Sequence, residues 1–140
     1  MSITLTHLAT ATLKLGTPAY LANTPRGTRA IVDVLSAQWE GERLNATLKP
    51  VAAADWALIS PDGTLHIDVR CTLETHDGAL IHVSYTGRAA VGPEGTSPVM
   101  ITPTFETGDS RYAWLNKVQA IGRGIKGEND TLVYDIYQAN

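Results

Sequence analysis

The stretch "TLHIDVRCTLETHDGALIHVSYTGR", Thr64–Arg88, decides the fold. Its first half alternates strictly: Leu65, Ile67, Val69, Cys71 and Leu73 fall on one side, and His66, Asp68, Arg70, Thr72 and Glu74 on the other. That is the period of a strand with one buried face. The second half alternates less cleanly, so its register depends on the turn. A two-residue Asp77-Gly78 turn would pair Arg70 with Tyr85 and Glu74 with Ile81, mixing polar and apolar groups on each face. A three-residue loop His76-Asp77-Gly78, with Gly78 left-handed, pairs Glu74 with Leu80, Thr72 with His82, Arg70 with Ser84 and Asp68 with Thr86. Its faces are nearly homogeneous. The hairpin then has an apolar face of Ile67, Val69, Cys71, Leu73, Ile81, Val83 and Tyr85, backed by a polar face carrying His66, Asp68, Arg70, Thr72, His82, Ser84 and Arg88.

The same punctuation runs through the chain. "TPRG", "SPDG", "THDG", "GPEG", "TGDS" and "KGEND" separate stretches rich in Val, Ile, Thr and Tyr. The strands expected are Leu5–Leu15, Thr28–Glu40, Arg43–Pro50, Trp56–Ser60, Thr64–Glu74, Ala79–Ala89, Pro98–Thr107, Arg111–Gly122 and Thr131–Gln138. About nine short strands and no long helical pattern predict an all-β fold, a single antiparallel β-barrel or sandwich over residues 1–140. Only "VAAADWAL" (51–58) competes as a helical turn, with Asp55 as its cap. In a barrel the polar face of the central hairpin looks either at water or into a solvated lumen.

With 140 residues, of which 44% are hydrophobic, the chain can build one ordinary core. Its net charge of −3 and scattered basic residues offer no footprint for a nucleic-acid backbone or an anionic membrane. The lone Cys71 excludes an intrachain disulfide and reads as an inert buried thiol. No signal segment or long apolar run is present, so a cytoplasmic location is expected.

Several chemistries lack their parts. "GRGIKG" (122–127) is a literal G-x-G-x-x-G, but turn residues and a strand follow it rather than a helix, so it reads as a hairpin loop and no cofactor is expected. The four histidines, His7, His66, His76 and His82, have no metal-site spacing, and His66 and His82 lie roughly 20 Å apart along the sheet. No metal site is expected. Nucleophile-elbow serines are absent too.

What remains is "FETGDSRYAWLNK" (105–117), which crowds Glu106, Arg111, Tyr112, Trp114, Asn116 and Lys117 around a Gly-Asp turn. Strand alternation puts Tyr112, Trp114 and Asn116 on one face, with Arg111 and Lys117 opposite. An amide among aromatics must be hydrogen-bonded or it costs about 1–3 kcal/mol. Asn116 therefore either ties down backbone or reads a ligand. Glu106 across the turn would complete an aromatic-walled niche, the usual make-up of a small-molecule pocket. The alternative is that Tyr112 and Trp114 are core and Glu106–Arg111 is a surface pair.

Taken together, "PRGTR" (25–29), "EGERLNA" (40–46), "ADW" (54–56), "PDGTLHIDVR" (61–70), "ETHDGALI" (74–81), "TGR" (86–88), "FETGDSRYAWLN" (105–116) and the closing "YDIY" resemble the uncharacterised family catalogued as domain of unknown function 3237, the UPF0311 proteins. The resemblance runs almost end to end. It implies a small β-barrel of roughly calycin-like shape, usually bacterial or fungal, with no activity assigned to the family as a whole. The family pattern falls on Glu40, Asp55, Trp56, Arg70, Glu106, Tyr112, Trp114 and Asn116. The chain departs from it at Ser36-Ala37, where a Gly-Gly pair is common, and at Ala46, where a glycine is usual.

These readings converge on a barrel enclosing a small, partly apolar organic molecule. Trp56, Tyr112 and Trp114 would be walls, with Asn116, Glu40 and His82 as further contacts. Were there turnover, Glu106 or Asp55 would move a proton and Arg70 or Asn116 would steady an oxyanion, as in isomerase, cyclase, lyase or lactone-hydrolase chemistry. A non-catalytic carrier and a structural or interaction module are the other classes. A homo-oligomer is compatible with an open sheet edge.

Overall fold

The computed structural model describes the whole chain, Met1–Asn140. Twelve strands and one 3-10 helix follow in order: β1 Leu5–Leu15, β2 Ala19–Thr24, β3 Gly27–Glu40, β4 Asn45–Leu48, β5 Ala54–Ile59, β6 Thr64–Thr75, β7 Leu80–Gly92, β8 Gly95–Thr96, β9 Val99–Ile101, β10 Thr104–Glu106, the helix Ser110–Lys117, β11 Ala120–Lys126 and β12 Thr131–Ala139.

The β6–β7 hairpin takes the register of the three-residue loop. Glu74 faces Leu80, Thr72 faces His82, Arg70 faces Ser84 and Asp68 faces Thr86. Gly78 sits at φ 91°, a conformation that side chains rarely adopt. The Thr75 side chain holds the turn by accepting the Ala79 N–H at 2.8 Å and donating to Asp77 Oδ1 at 2.6 Å.

All pairings are antiparallel, and they close an eight-position barrel. Around it run β1, β3, β5 with β4, β6, β7, β9 with β10, β11 and β12. Two positions are shared by short strands in tandem. β5 spans β3 and β6 at one end (Arg29↔Leu58, Leu58↔His66), and β4 spans them at the other (Trp39↔Ala46, Ala46↔Thr75). Opposite, β9 bridges β7 and β11, while β10 pairs with β7 alone. The expected single strand Pro98–Thr107 is broken at Thr102-Pro103: proline has no N–H for a ladder, and the Pro103 carbonyl instead accepts the Ala120 N–H at 3.1 Å. β2, an additional strand outside the expected set, pairs with β3 beside the barrel.

The apolar face of the hairpin is the barrel interior. Ile67, Val69, Cys71, Leu73, Ile81, Val83 and Tyr85 are all buried and join a single cluster of 28 core residues. Burial pushes the Cys71 thiol up to about 12, so it is inert. An eight-stranded barrel has an interior just wide enough for side chains to fill, and here the core cluster occupies it. The polar face, including Arg70, is therefore the outer one. The expectation of a ligand enclosed in the barrel is corrected accordingly: the large hollows lie on the outside of the sheet.

Two further segments are "GRGIKG" and "VAAADWAL": the first departs from its expected hairpin loop, and the second follows its expected strand, Trp56–Ser60, over the competing helical turn. The first is strand β11 up to Lys126, not a loop, and its glycines make room for neighbours. A Cβ on Gly124 would lie 2.3 Å from the Tyr134 ring, and one on Gly122 would lie 2.9 Å from Ile101. The second segment forms no helix, because Ala54–Ile59 pairs on both edges, with β3 and β6.

Candidate functional site

The β5–β6 ladder has an irregular middle, and a site is built around it. Pairing runs through Ala54↔Arg70 and Asp55↔Val69 and resumes at Leu58↔His66. Between these points, the Asp68 N–H donates to Asp55 Oδ1 at 3.0 Å rather than to a strand carbonyl. The Trp56 and Ala57 carbonyls accept from Arg29 Nη1 at 3.0 and 3.4 Å. A carboxylate from the inner side and a guanidinium from the outer side thus satisfy backbone groups that the ladder leaves over.

Outside this point lies a groove of about 720 Å³. One row of cross-strand partners crosses it: Arg29, Leu58, His66, Arg88 and Met100. The next row adds Trp56, Asp68 and Thr86. Thr102 and Ile121 line the far side, and Arg26 in the β2–β3 turn closes the near side. A second hollow of about 610 Å³ adjoins it along Asp68, Thr86 and Thr102 and contains Arg70, Ser84, Thr104 and Gln119. Arg70 stacks on Trp56, with its guanidinium carbon 4.5 Å from the ring centroid.

Asp55 stands behind Trp56, opposite the buried Val32 and Val69. Burial raises its carboxyl from 3.8 to about 6; the Asp68 N–H opposes the shift and the Asp68 charge adds to it. Its charge reaches Tyr85 and Tyr134, whose rings meet edge to face at 6.0 Å and whose hydroxyls burial pushes upward.

Of the site residues expected from sequence, Trp56 lines the groove, Arg70 lines the adjoining hollow and stacks on Trp56, and Asp55 lies behind them on the inner side of the sheet. The others lie elsewhere. Tyr112, Trp114 and Asn116 belong to the 3-10 helix, not to a strand, so period-2 alternation does not apply. Asp109 caps that helix by accepting the Arg111 N–H at 2.9 Å, and the buried residues recur every three positions, Tyr112, Leu115 and Val118. Asn116 meets backbone: its Oδ1 accepts the Thr107 N–H at 2.8 Å and its Nδ2 donates to the Thr107 carbonyl at 2.9 Å. Tyr112 is core, and Trp114 lies beneath the Arg43 guanidinium at 3.7 Å. Arg111 does not pair with Glu106. It binds Asp109 and Asp77 at 2.9 and 3.2 Å. The stretch is a structural corner that pins the β6–β7 turn.

Glu106 and His82 face each other across β10 and β7, both exposed. Glu40 lines a separate small hollow with Asn45, Glu74 and His76. Neither group borders the groove.

Sequence reasoning missed Arg26, Arg29, Leu58, Met100 and Ile121. The hairpin register already placed His66 beside Arg88, but the row continues only through the β3–β5 and β7–β9 pairings, which no local pattern announces.

No helix of the structure is long and apolar enough to cross a membrane. Among solved structures, the chain is similar to a beta-barrel like protein from Acinetobacter baumannii, at 28% identity and a TM-score of 0.90, covering 100% of this chain and 98% of that one. It also shares the fold of an enzyme from Penicillium herquei, at 24% identity and a TM-score of 0.79, covering 100% and 96%. A UPF0311 protein of Rhodopseudomonas palustris is 27% identical over 94% of each chain. The match to the family described as "Protein of unknown function (DUF3237)" extends over residues 3–139, and the chain belongs to that family.

Proposed function

We propose that the chain binds a small, partly apolar organic molecule, and that it does so in the outer groove rather than in the barrel lumen. One observation carries this reading. About 720 Å³ of open space is bordered by Trp56, Leu58, Met100 and Ile121 on the apolar side and by Arg29, His66, Thr86, Thr102 and Arg88 on the polar side. Small-molecule sites commonly measure some 300–1,000 Å³ and combine an apolar lining with a few convergent polar groups. Of the residues marked by the family pattern, Trp56 borders the groove and Arg70 stacks on it from the adjoining hollow.

Asp55 supports a second reading, in which the bound molecule is also turned over. A carboxyl with an affinity near pH 6 can both give and take a proton at neutral pH; Asp55 lies on the inner side of β5, so it acts on a groove ligand only through the Asp68 N–H that it accepts at the groove floor. The Penicillium herquei enzyme is of the same fold. The chemistry suited to these parts is proton transfer at a carbonyl, enol or lactone.

The test is protein NMR with a fragment library. Shifts are expected at the Trp56 indole and at the amides of β5, β6, β7 and β9, and Trp56→Ala should weaken every groove binder by about tenfold or more. Binders that shift only the 3-10 helix corner, or none of these resonances, would overturn the proposal. Turnover is separated from carriage by assaying the compounds found with Asp55→Asn: loss of product at unchanged affinity marks an enzyme, and no product from either protein marks a carrier.

A further inference from the structure

We infer that the groove selects an organic anion, a planar aromatic carboxylate whose charge is held between Arg29 and Arg88 and whose ring lies on Trp56; this rests on the groove being the binding site.

The charge distribution is the first argument. The chain carries 11 basic and 14 acidic residues, for a net charge of −3. Yet the groove holds three arginines, Arg26, Arg29 and Arg88, against one acid, Asp68, so its balance is positive. A fourth arginine, Arg70, stands on the other side of Trp56. None of the four takes part in an ion pair, although Arg111 on the same molecule engages two carboxylates. Unpaired guanidinium groups gathered in one hollow of an acidic protein mark it for a negative ligand.

The residue type is the second. Every cation of the groove is arginine, and none of the chain's four lysines lines it. The guanidinium fork matches a carboxylate with two parallel hydrogen bonds, which a lysine cannot supply. Arg29 is also preoriented, because the Trp56 and Ala57 carbonyls fix its Nη1. Its other donors stay free. Arg29 and Arg88 stand in one row, with Leu58 and His66 between them. Three strand spacings separate their backbones by roughly 14 Å, so an anion above the middle of the row is within reach of both side chains.

The lining separates a carboxylate from a phosphate. Phosphate sites draw on helix N-termini or nests of backbone N–H groups. Here the lining comes from strands and a hairpin turn, and the charged donors are side chains. Six of the 14 lining residues are hydrophobic, so most of the ligand is apolar. Trp56 supplies the flat surface. Arg70 covers one side of its ring, and the ring borders the groove, where an aromatic ligand can stack.

The experiment is a matched set of probes, 2-naphthoate, its methyl ester and 2-naphthyl phosphate, titrated against the full chain with groove amide shifts and intrinsic fluorescence as readouts. Trp56→Phe identifies the contribution of Trp56. 2-Naphthoate should saturate the groove, the ester should bind about tenfold more weakly or worse, and rising salt should weaken the acid but not the ester. Arg88→Gln, at an exposed position that leaves the barrel intact, should bring the acid down to the level of the ester. If acid and ester bind the groove equally, selection of an anion is refuted while the organic-molecule reading stands. Tighter binding of the phosphate overturns the assignment to a carboxylate. If no probe shifts the groove resonances, both readings fail.

Discussion

Tyr112 Oη donates a 2.8 Å hydrogen bond to Asp77 Oδ1, joining the 3-10 helix to the β6–β7 turn across 35 residues of sequence. The same carboxylate accepts from Thr75 and faces Arg111, whose Nη1 also reaches the Asp77 carbonyl at 3.0 Å. These hydrogen bonds, from Thr75 first and Tyr112 second, hold the Asp77 carboxyl below its ordinary range. Tyr112→Phe keeps the ring in the core and removes only the donor to a charged acceptor. It should cost roughly 1–2 kcal/mol in urea denaturation. An unchanged midpoint would show that the corner is held by packing alone.

Asn116 makes a sharper case, since a ligand-reading role was open for it. Both ends of its amide are engaged with Thr107 backbone, in a closed pair of hydrogen bonds. Asn116→Ala should therefore lower stability by about 1–2 kcal/mol and leave the affinity of every groove binder unchanged. A loss of affinity without a loss of stability would return Asn116 to a site.

How far the sequence carries is visible in these two places. The β6–β7 register was legible because one face is buried and a one-residue slip would mix it, so hydrophobicity and turn chemistry had a single joint solution. The polar face was legible as a set, yet whether it faced lumen or solvent was not. That depends on closure of the barrel, a property of all eight positions at once. Around Tyr112 the apolar residues recur every three positions, but Tyr112 and Trp114 also fit an alternating pattern. The Asp109 cap decides between the two readings. The groove was the least legible part: Arg29 and Arg88 lie 59 positions apart and share a row only through two strands, β5 and β6, that lie between them.

Gly124 gives a test of barrel packing. A Cβ there would lie within 2.3 Å of Tyr134, whose ring fills the interior against Tyr85. Gly124→Ala should destabilise by roughly 1–3 kcal/mol through overpacking, and Tyr134→Leu in the same chain should restore part of the loss. Gly92→Ala is the control: nothing lies within 4 Å of the added carbon, and stability should hardly change.

Asp55 sets an unusual pH dependence. Its folded carboxyl titrates near 6 against 3.8 when unconstrained, so between those values the folded chain binds the proton that the unfolded chain has already released. Stability from this group is complete below about pH 4, falls as the pH rises through about 6 and is gone above it, a span of roughly 2–3 kcal/mol for a shift of about two units. Asp62 and Asp109 act in the opposite sense and in a different window. Their hydrogen-bonded carboxyls are lowered to about 2, so what they contribute is lost only as the pH falls below about 4. Asp55→Asn isolates the effect. The substituted amide keeps an oxygen for the Asp68 N–H and cannot ionise, so the variant should match the original chain near pH 4 and exceed it at pH 8. Urea denaturation of both proteins across that range measures the difference, and a gap that stays constant with pH would mean that Asp55 titrates as it does in the unfolded chain.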